Sequence, residues 1–213
     1  MKIGIIGSGT VGQQLGNGFI KLGYQVKIGT RDEAKLTEWK NSGGQNASTG
    51  NFENAAKFGE VIVIATNWAG TVNAIKLAGI ENISNKIVID VTNPLDFSQG
   101  VPPKFAATLG NSGGEQIQKM LPDAKVVKAF NTISAYIMIN APREEGVPDL
   151  FIAGNDKEAK VFVNDIAMQW GWGSVIDLGD IGQSFFLEAF AHLWIIYGFK
   201  NNNWTHAFKL LKK

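Results

Sequence analysis

The run Lys2-Ile3-Gly4-Ile5-Ile6 passes directly into Gly7-Ser8-Gly9-Thr10-Val11-Gly12, and this junction limits the fold more than any other stretch of the chain. An apolar β-type run without a polar face has to be covered on both sides. A G-x-G-x-x-G that follows such a run and opens a helical pattern over residues 10–22 has a mechanical reading. Gly7 permits the tight turn, Gly9 lets the main chain approach a pyrophosphate, and Gly12 lets the helix press onto the strand. The helix-start N–H groups then face phosphate.

The rest of the chain repeats this alternation. Short β-branched runs at residues 2–6, 25–28, 61–65, 86–90, 125–128, 150–153 and 174–177 read as strands. Residues 10–22, 33–40, 69–78, 115–120 and 157–169 read as helices, with Gly23 and Gly171 as stops and Asn155-Asp156 as an N-cap. The pattern predicts an α/β, Rossmann-like, doubly wound and mainly parallel sheet. With 213 residues and no linker, a single domain is expected. Its nucleotide-binding core spans 1–140, and 141–213 form a small helical C-terminal extension. Residues 93–112 and 140–148 read as irregular loops. Residues 185–199 and 201–211 read as two terminal helices. The first is apolar nearly all round, so it needs cover from its own domain or from a second copy in a homodimer.

Composition removes several function classes. Lys+Arg total 20 against Asp+Glu 19, a net charge of +1, so there is no cationic excess for nucleic acid or an anionic membrane. Cysteine is absent, which excludes disulfides, thiolate nucleophiles and cysteine-bound metals. The longest apolar stretch, 185–199, is broken by Glu188 and His192, and the N-terminus carries no secretory pattern. The expectation is a cytoplasmic protein that acts on small molecules, without membrane contact.

The second strand ends in Gly29-Thr30-Arg31, where a chain built for NAD would place a carboxylate for the ribose hydroxyls. Thr30 can donate one hydrogen bond, Arg31 can grip a phosphate bidentately, and Lys35 adds charge one turn later, so NADP(H) is the expected dinucleotide. Asp32 offers the alternative, since one step of register would make it a ribose acceptor. Thr66-Asn67-Trp68 and Asn93-Pro94 end two further strands at the edge where an open parallel sheet binds its ligand, although Asn and Pro also make ordinary turns. Asn131 and Thr132 reach the same edge and could hydrogen-bond a carboxamide that positions a reactive ring. No Ser-His-Asp elbow, metal spacing or Tyr-x-x-x-Lys pair is present. His192 reads as a satisfied core residue and His206 as surface or cleft wall. No side chain is expected to act as a nucleophile, and a flavin or deazaflavin ring would suit as hydride acceptor because the ring absorbs the charge itself. The rivals are an imine or carbonyl reductase, with water or Thr132 as proton donor, and a non-catalytic NADP-binding redox sensor.

The segments GIIGSGTVG, KIGTRD with Lys35, the Trp68 loop, IVIDVTNPL, VVKAFNTI, DLFIAGNDKEAK, FLEAF and AFKLL resemble, in order, the deazaflavin (coenzyme F-420)-dependent NADP reductase family. The cytosolic domain of the transmembrane metalloreductases is similar. The resemblance implies hydride transfer between NADPH and coenzyme F-420. It implies phosphate contacts at Ser8 to Gly12 and 2′-phosphate contacts at Thr30, Arg31 and Lys35. Further nucleotide contacts fall at Thr66, Gly70 and Asn93, the nicotinamide contact near Ala135, and the acceptor near His206. Asn131 stands where founding members carry His, Ser134 where they carry Pro, and Phe185 where an Arg is common.

Overall fold

The computed structural model describes residues 1–211. Within them the strands are β1 (Lys2–Ile6), β2 (Gln25–Gly29), β3 (Ala47–Gly50), β4 (Val61–Ile64), β5 (Ile87–Asp90), β6 (Leu95–Asp96), β7 (Lys104–Phe105), β8 (Lys125–Lys128), β9 (Leu150–Gly154) and β10 (Val175–Asp177). The helices are α1 (Thr10–Lys21), α2 (Thr37–Ser42), α3 (Phe52–Phe58), α4 (Trp68–Ala78), α5 (Ile80–Ile83), α6 (Gly113–Met120), α7 (Lys157–Gln169) and α8 (Ser184–Asn201). Eight strands form one sheet in the order β10-β9-β8-β5-β4-β1-β2-β3, and β6 and β7 form a separate hairpin. The chain winds from β1 outward through β2 to β3, then returns to β4 on the other side of β1, which opens a crevice between β1 and β4. The pairs from β3 across to β8 are parallel, whereas β9 runs antiparallel to β8. This is the predicted Rossmann-like, doubly wound sheet.

The apolar strands are buried on both faces as their sequences require: Ile3, Ile5, Ile6, Ile62, Val63, Ile64 and Val88 are all fully enclosed. One core cluster joins Phe19 of α1 to Phe130, Trp170 and Trp172; the other packs α3, α4 and α6 on the opposite face. Gly23 stops α1 with φ +84°, and Asp156 caps α7 by accepting from the Ala159 N–H at 2.8 Å.

Several expectations need correction. The helical pattern over residues 201–211 is not realised: the helix ends at Asn201, and Asn202 takes a left-handed φ of +46°. Three consecutive asparagines favour that turn. The tail that follows finds partners outside any helix: Asp149 N–H donates to Phe208 O at 3.0 Å, and Leu210 N–H donates to Asp149 Oδ2 at 2.9 Å. Residues 33–40, expected as one helix, begin instead as a 3₁₀ turn (Glu33–Leu36) before α2. Strand β3 and helix α3 fall outside the periodic runs of the sequence, and the irregular segment 93–112 carries the β6–β7 hairpin. Helix α3 lies so close to the sheet that a Cβ on Gly4 would stand 2.2 Å from Ala55 O, and one on Gly29 3.0 Å from Phe52 Cα.

Helix α8 buries Leu187, Ala191 and Trp194 but leaves Phe186, Leu193, Ile196 and Tyr197 exposed. Among the described residues, no helix is long and apolar enough to cross a membrane, and no cluster of His, Asp or Glu is arranged to hold a metal ion.

Candidate functional site

Register brings the site together. Gly29, Ile6, Ile64, Asp90 and Lys128 end β2, β1, β4, β5 and β8, and each faces the next across the sheet. The residues that follow them therefore leave the sheet along one rim. Over the crevice lies a cavity of about 340 Å³ lined by Gly7, Ser8, Gly9, Thr30, Arg31, Asp32, Lys35, Phe52, Ala65, Thr66, Asn67, Gly70, Asn73 and Ala74.

The three glycines of the first loop stand in three different surroundings. Gly7 has φ +124°, and a Cβ there would meet Ala65 O at 2.3 Å. A Cβ on Gly12 would meet Gly7 O at 2.2 Å, so helix and turn could not close. At Gly9 a Cβ would meet nothing within 4 Å, so protein packing does not demand a glycine, but a ligand lying on the loop would. The start of α1 has no side-chain cap at Gly9, so its first N–H groups have no side-chain partner there. Thr10, Val11 and Gly12 follow in α1 and are not among the lining residues.

At the end of β2 the Thr30 hydroxyl lies 2.9 Å from Ser8 Oγ and accepts the Asp32 N–H at 3.1 Å. Arg31 is exposed and forms no ion pair among the described residues. The Asp32 carboxylate turns to its own 3₁₀ helix, where it accepts the Ala34 N–H at 3.1 Å and stands 3.8 Å from Lys35 Nζ. Lys35 remains 77% exposed. The alternative role for Asp32 thus competes with a capping bond that the carboxylate already makes.

Thr66 and Gly70 line the cavity, and Asn67 Oδ1 caps α4 by accepting the Gly70 N–H at 3.2 Å. Trp68 packs toward Gly113 and the core instead of lining the cavity. Asn93, Pro94, Asn131 and Thr132 follow the ends of β5 and β8 further along the rim, and neither they nor Ala135 line this cavity. Asn93 Nδ2 donates to Asn131 O and Asn131 Nδ2 donates to Asn93 Oδ1, both at 2.9 Å; Asn131 Nδ2 also donates to Leu187 O of α8 at 3.1 Å. Pro94 O accepts the Ala106 N–H at 2.8 Å and so ties the hairpin to the rim. Phe130 supplies the turn before Asn131 with φ +56°, a strained conformation for an aromatic residue. Its ring is held between Trp170, 5.2 Å away, and Trp172, 6.0 Å away.

Behind the rim lies a charge cluster that the sequence reading missed. Lys128 Nζ stands 2.7 Å from Asp90 Oδ2 and 2.8 Å from Glu188 Oε1, and it donates to Thr92 O at 2.8 Å; all three charged side chains are fully buried. Asp90 Oδ1 accepts the Thr92 N–H at 2.9 Å and its hydroxyl at 2.7 Å. Glu188 accepts the Gly113 and Gly114 N–H groups at the start of α6, each at 2.9 Å. Burial alone would push the Lys128 ammonium down, but the two carboxylates outweigh it and hold it above the ordinary lysine value. The signal was present in the sequence as Asp and Lys closing apolar strand runs and one Glu inside an apolar helix.

His192 stacks on Phe105 with ring centres 5.7 Å apart, but its Nδ1 is buried without a hydrogen-bond partner, so it is packed without being satisfied. His206 lies on the tail, with its two ring nitrogens 2.9 and 3.1 Å from Asn203 O and Trp194 O. It lines a second cavity of about 310 Å³ with Arg143, Pro148 and Phe208, which shares no lining residue with the first.

Comparison with known proteins agrees with this architecture. Residues 2–94 match the family model described as NADP oxidoreductase, coenzyme F420-dependent. The F420-dependent NADP reductase of Methanocaldococcus jannaschii is 31% identical over 206 residues, covering 92% of this chain and 91% of that protein. The crystal structure of a putative F420-dependent NADP reductase from Arthrobacter sp. FB24 superimposes with a TM-score of 0.93 at 36% identity, covering 100% of both chains. The metalloreductase STEAP3 of Rattus norvegicus is 29% identical over 188 residues, and the chain spans only 36% of its length. The chain belongs to the coenzyme F420-dependent NADP oxidoreductase family.

Proposed function

We propose that this NADP-dependent oxidoreductase exchanges hydride between NADP(H) and a planar flavin or deazaflavin-type acceptor, coenzyme F-420 among them. The observation that carries the reading is the end of β2. Arg31 and Lys35 stand there at the cavity beside an open glycine loop, while the Asp32 carboxylate is engaged in capping its own helix.

In this assignment the loop of Gly7, Ser8, Gly9, Thr10, Val11 and Gly12 receives the pyrophosphate on the main-chain N–H groups that open α1, while the Gly7 N–H itself is held by Gly29 O at 3.2 Å. Thr30, Arg31 and Lys35 take the 2′-phosphate, with Arg31 giving the bidentate contact. Thr66, Asn67 and Gly70 border the ribose, with Trp68 packed behind them against Gly113, and Asn93, Pro94, Asn131, Thr132 and Ala135 receive the nicotinamide end. When bound, NADP(H) supplies the hydride chemistry. The chain's own part is to orient the ring and exclude water, with no nucleophile and no protein acid, so positioning provides most of the acceleration. The exposed stripe Phe186, Leu193, Ile196 and Tyr197 of α8 suits a second copy of the chain, and sedimentation showing only monomer at micromolar concentration would exclude that pairing.

The test follows the loss of reduced-nicotinamide absorbance with F-420, FMN, FAD and ferric chelates offered in turn. Turnover with one of the ring acceptors is expected. Turnover of a carbonyl or imine panel without any flavin would overturn the acceptor assignment. Tight NADPH binding without reduction of any acceptor would mark a sensor instead.

A further inference from the structure

The buried groups behind the rim form a closed circuit. Lys128 binds Asp90, Glu188 and Thr92 O; Asp90 holds both the N–H and the hydroxyl of Thr92; Asn93 follows Thr92 and pairs with Asn131; and Asn131 returns to Leu187, the neighbour of Glu188. Backbone carbonyls fix both amides. Asn93 must turn Nδ2 toward Asn131 O, and Asn131 must turn Nδ2 toward Leu187 O. Asn131 Oδ1 is then left buried with no partner, the one oxygen of the circuit with neither a hydrogen bond nor an ion pair. Asn131 is only 6% exposed, so such an acceptor is costly unless something bound at the rim donates to it.

We propose that Lys128 is a positioning residue: held by Asp90 and Glu188, it locks the Asn93–Asn131 pair so that Asn131 Oδ1 accepts the carboxamide N–H of the nicotinamide. The inference rests on the dinucleotide reading above and adds the atom that reads the carboxamide and the device that aims it. Lys128 itself touches no ligand, since all three of its donors are spent inside the protein. The strained turn at Phe130 belongs to the same device, because it delivers Asn131 to the circuit.

The test compares dissociation constants for three ligands. They are NADP⁺, its 3-acetylpyridine analogue (a methyl group replaces the amide nitrogen) and 2′-phospho-ADP-ribose, which lacks the ring. Wild type is expected to prefer NADP⁺ over the acetyl analogue by about tenfold, the worth of one buried hydrogen bond. Asn131→Ala should erase that preference. Lys128→Met and Glu188→Gln should erase most of it while 2′-phospho-ADP-ribose binding stays within about twofold, an effect that a merely structural role would not produce. Glu188→Gln keeps the side-chain volume and a carbonyl oxygen for one of the two glycine N–H groups, so it carries the test if Lys128→Met fails to fold by circular dichroism. A preference that persists in either folded variant overturns the positioning role. A wild type without the preference overturns the assignment of Asn131 Oδ1. If wild type fails to bind 2′-phospho-ADP-ribose, the dinucleotide reading itself falls and takes this inference with it.

Discussion

At the end of β2, Arg31 is exposed without an ion-pair partner, Lys35 is 77% exposed, and the Cβ direction of Gly9 opens into space. At the ends of β5 and β8 on the same rim, Asp90 and Lys128 are fully buried, and the hydrogen-bonding groups of Thr92 are taken up. One end of the rim leaves its polar groups to be organised by a ligand; the other has been organised by folding. The first arrangement suits tight, salt-sensitive attachment of an anion, and the second suits holding a ring at fixed geometry. Stability and 2′-phosphate affinity should therefore respond to opposite ends of the rim.

The strongest way to break this comparison is Lys128→Met. It leaves two buried carboxylates without their cation, and should lower the unfolding free energy by about 3–5 kcal/mol in urea titrations. A loss below about 1 kcal/mol would mean that the cluster is not the fixed end of the rim. Arg31→Ala should do the reverse: unchanged urea midpoint, but NADPH affinity reduced by about 10–150-fold, or roughly 1.5–3 kcal/mol, with NADH affinity unmoved. Calorimetry with both coenzymes checks this, and equal loss for the two would remove the 2′-phosphate assignment. Gly9→Ala sharpens the contrast further, because the added methyl meets only the ligand. Dinucleotide affinity should fall by about tenfold, or 1.4 kcal/mol, at constant melting temperature.

The smallest effect is expected at the tail. Burial alone would raise the Asp149 carboxyl, but the Leu210 N–H, the Ser174 hydroxyl and the Lys209 ammonium together hold it below the ordinary aspartate value. A depressed carboxylate stabilises the fold above its unfolded value of about 3.9, and that contribution disappears as pH falls through the lower folded value. Wild type and Asp149→Asn should thus differ in melting temperature near pH 6 and converge progressively below about pH 4. A gap that stays constant down to about pH 2 would exclude the carboxylate as the fastener.

Legibility in the sequence followed the range of the interactions. The first strand, the glycine loop and α1 are adjacent in the chain, and their turn and packing can be read residue by residue. Thr30, Arg31 and Lys35 followed from the next strand end. Helix α3 escaped notice because its place depends on the bare backbones of Gly4 and Gly29, distant in sequence from Phe52 and Ala55. The Asp90–Lys128–Glu188 cluster escaped for the same reason: each member alone resembles an ordinary charge at the end of an element, and only the sheet register and α8 bring them into contact. The tail after Asn201 reads as a helix because its apolar residues keep a helical spacing, while their main-chain groups bond to Asp149 and neighbouring segments.

The reversed direction of β9 has a practical consequence. Antiparallel pairing with β8 carries Gly154 past the rim, so that Asp156 meets Lys125, at the start of β8, at 3.2 Å. The exposed Lys157 that follows opens α7 on the far side of the sheet. A fluorophore or an electrode tether coupled there would report on the molecule without crowding the dinucleotide, which makes that position the natural handle for immobilising the protein.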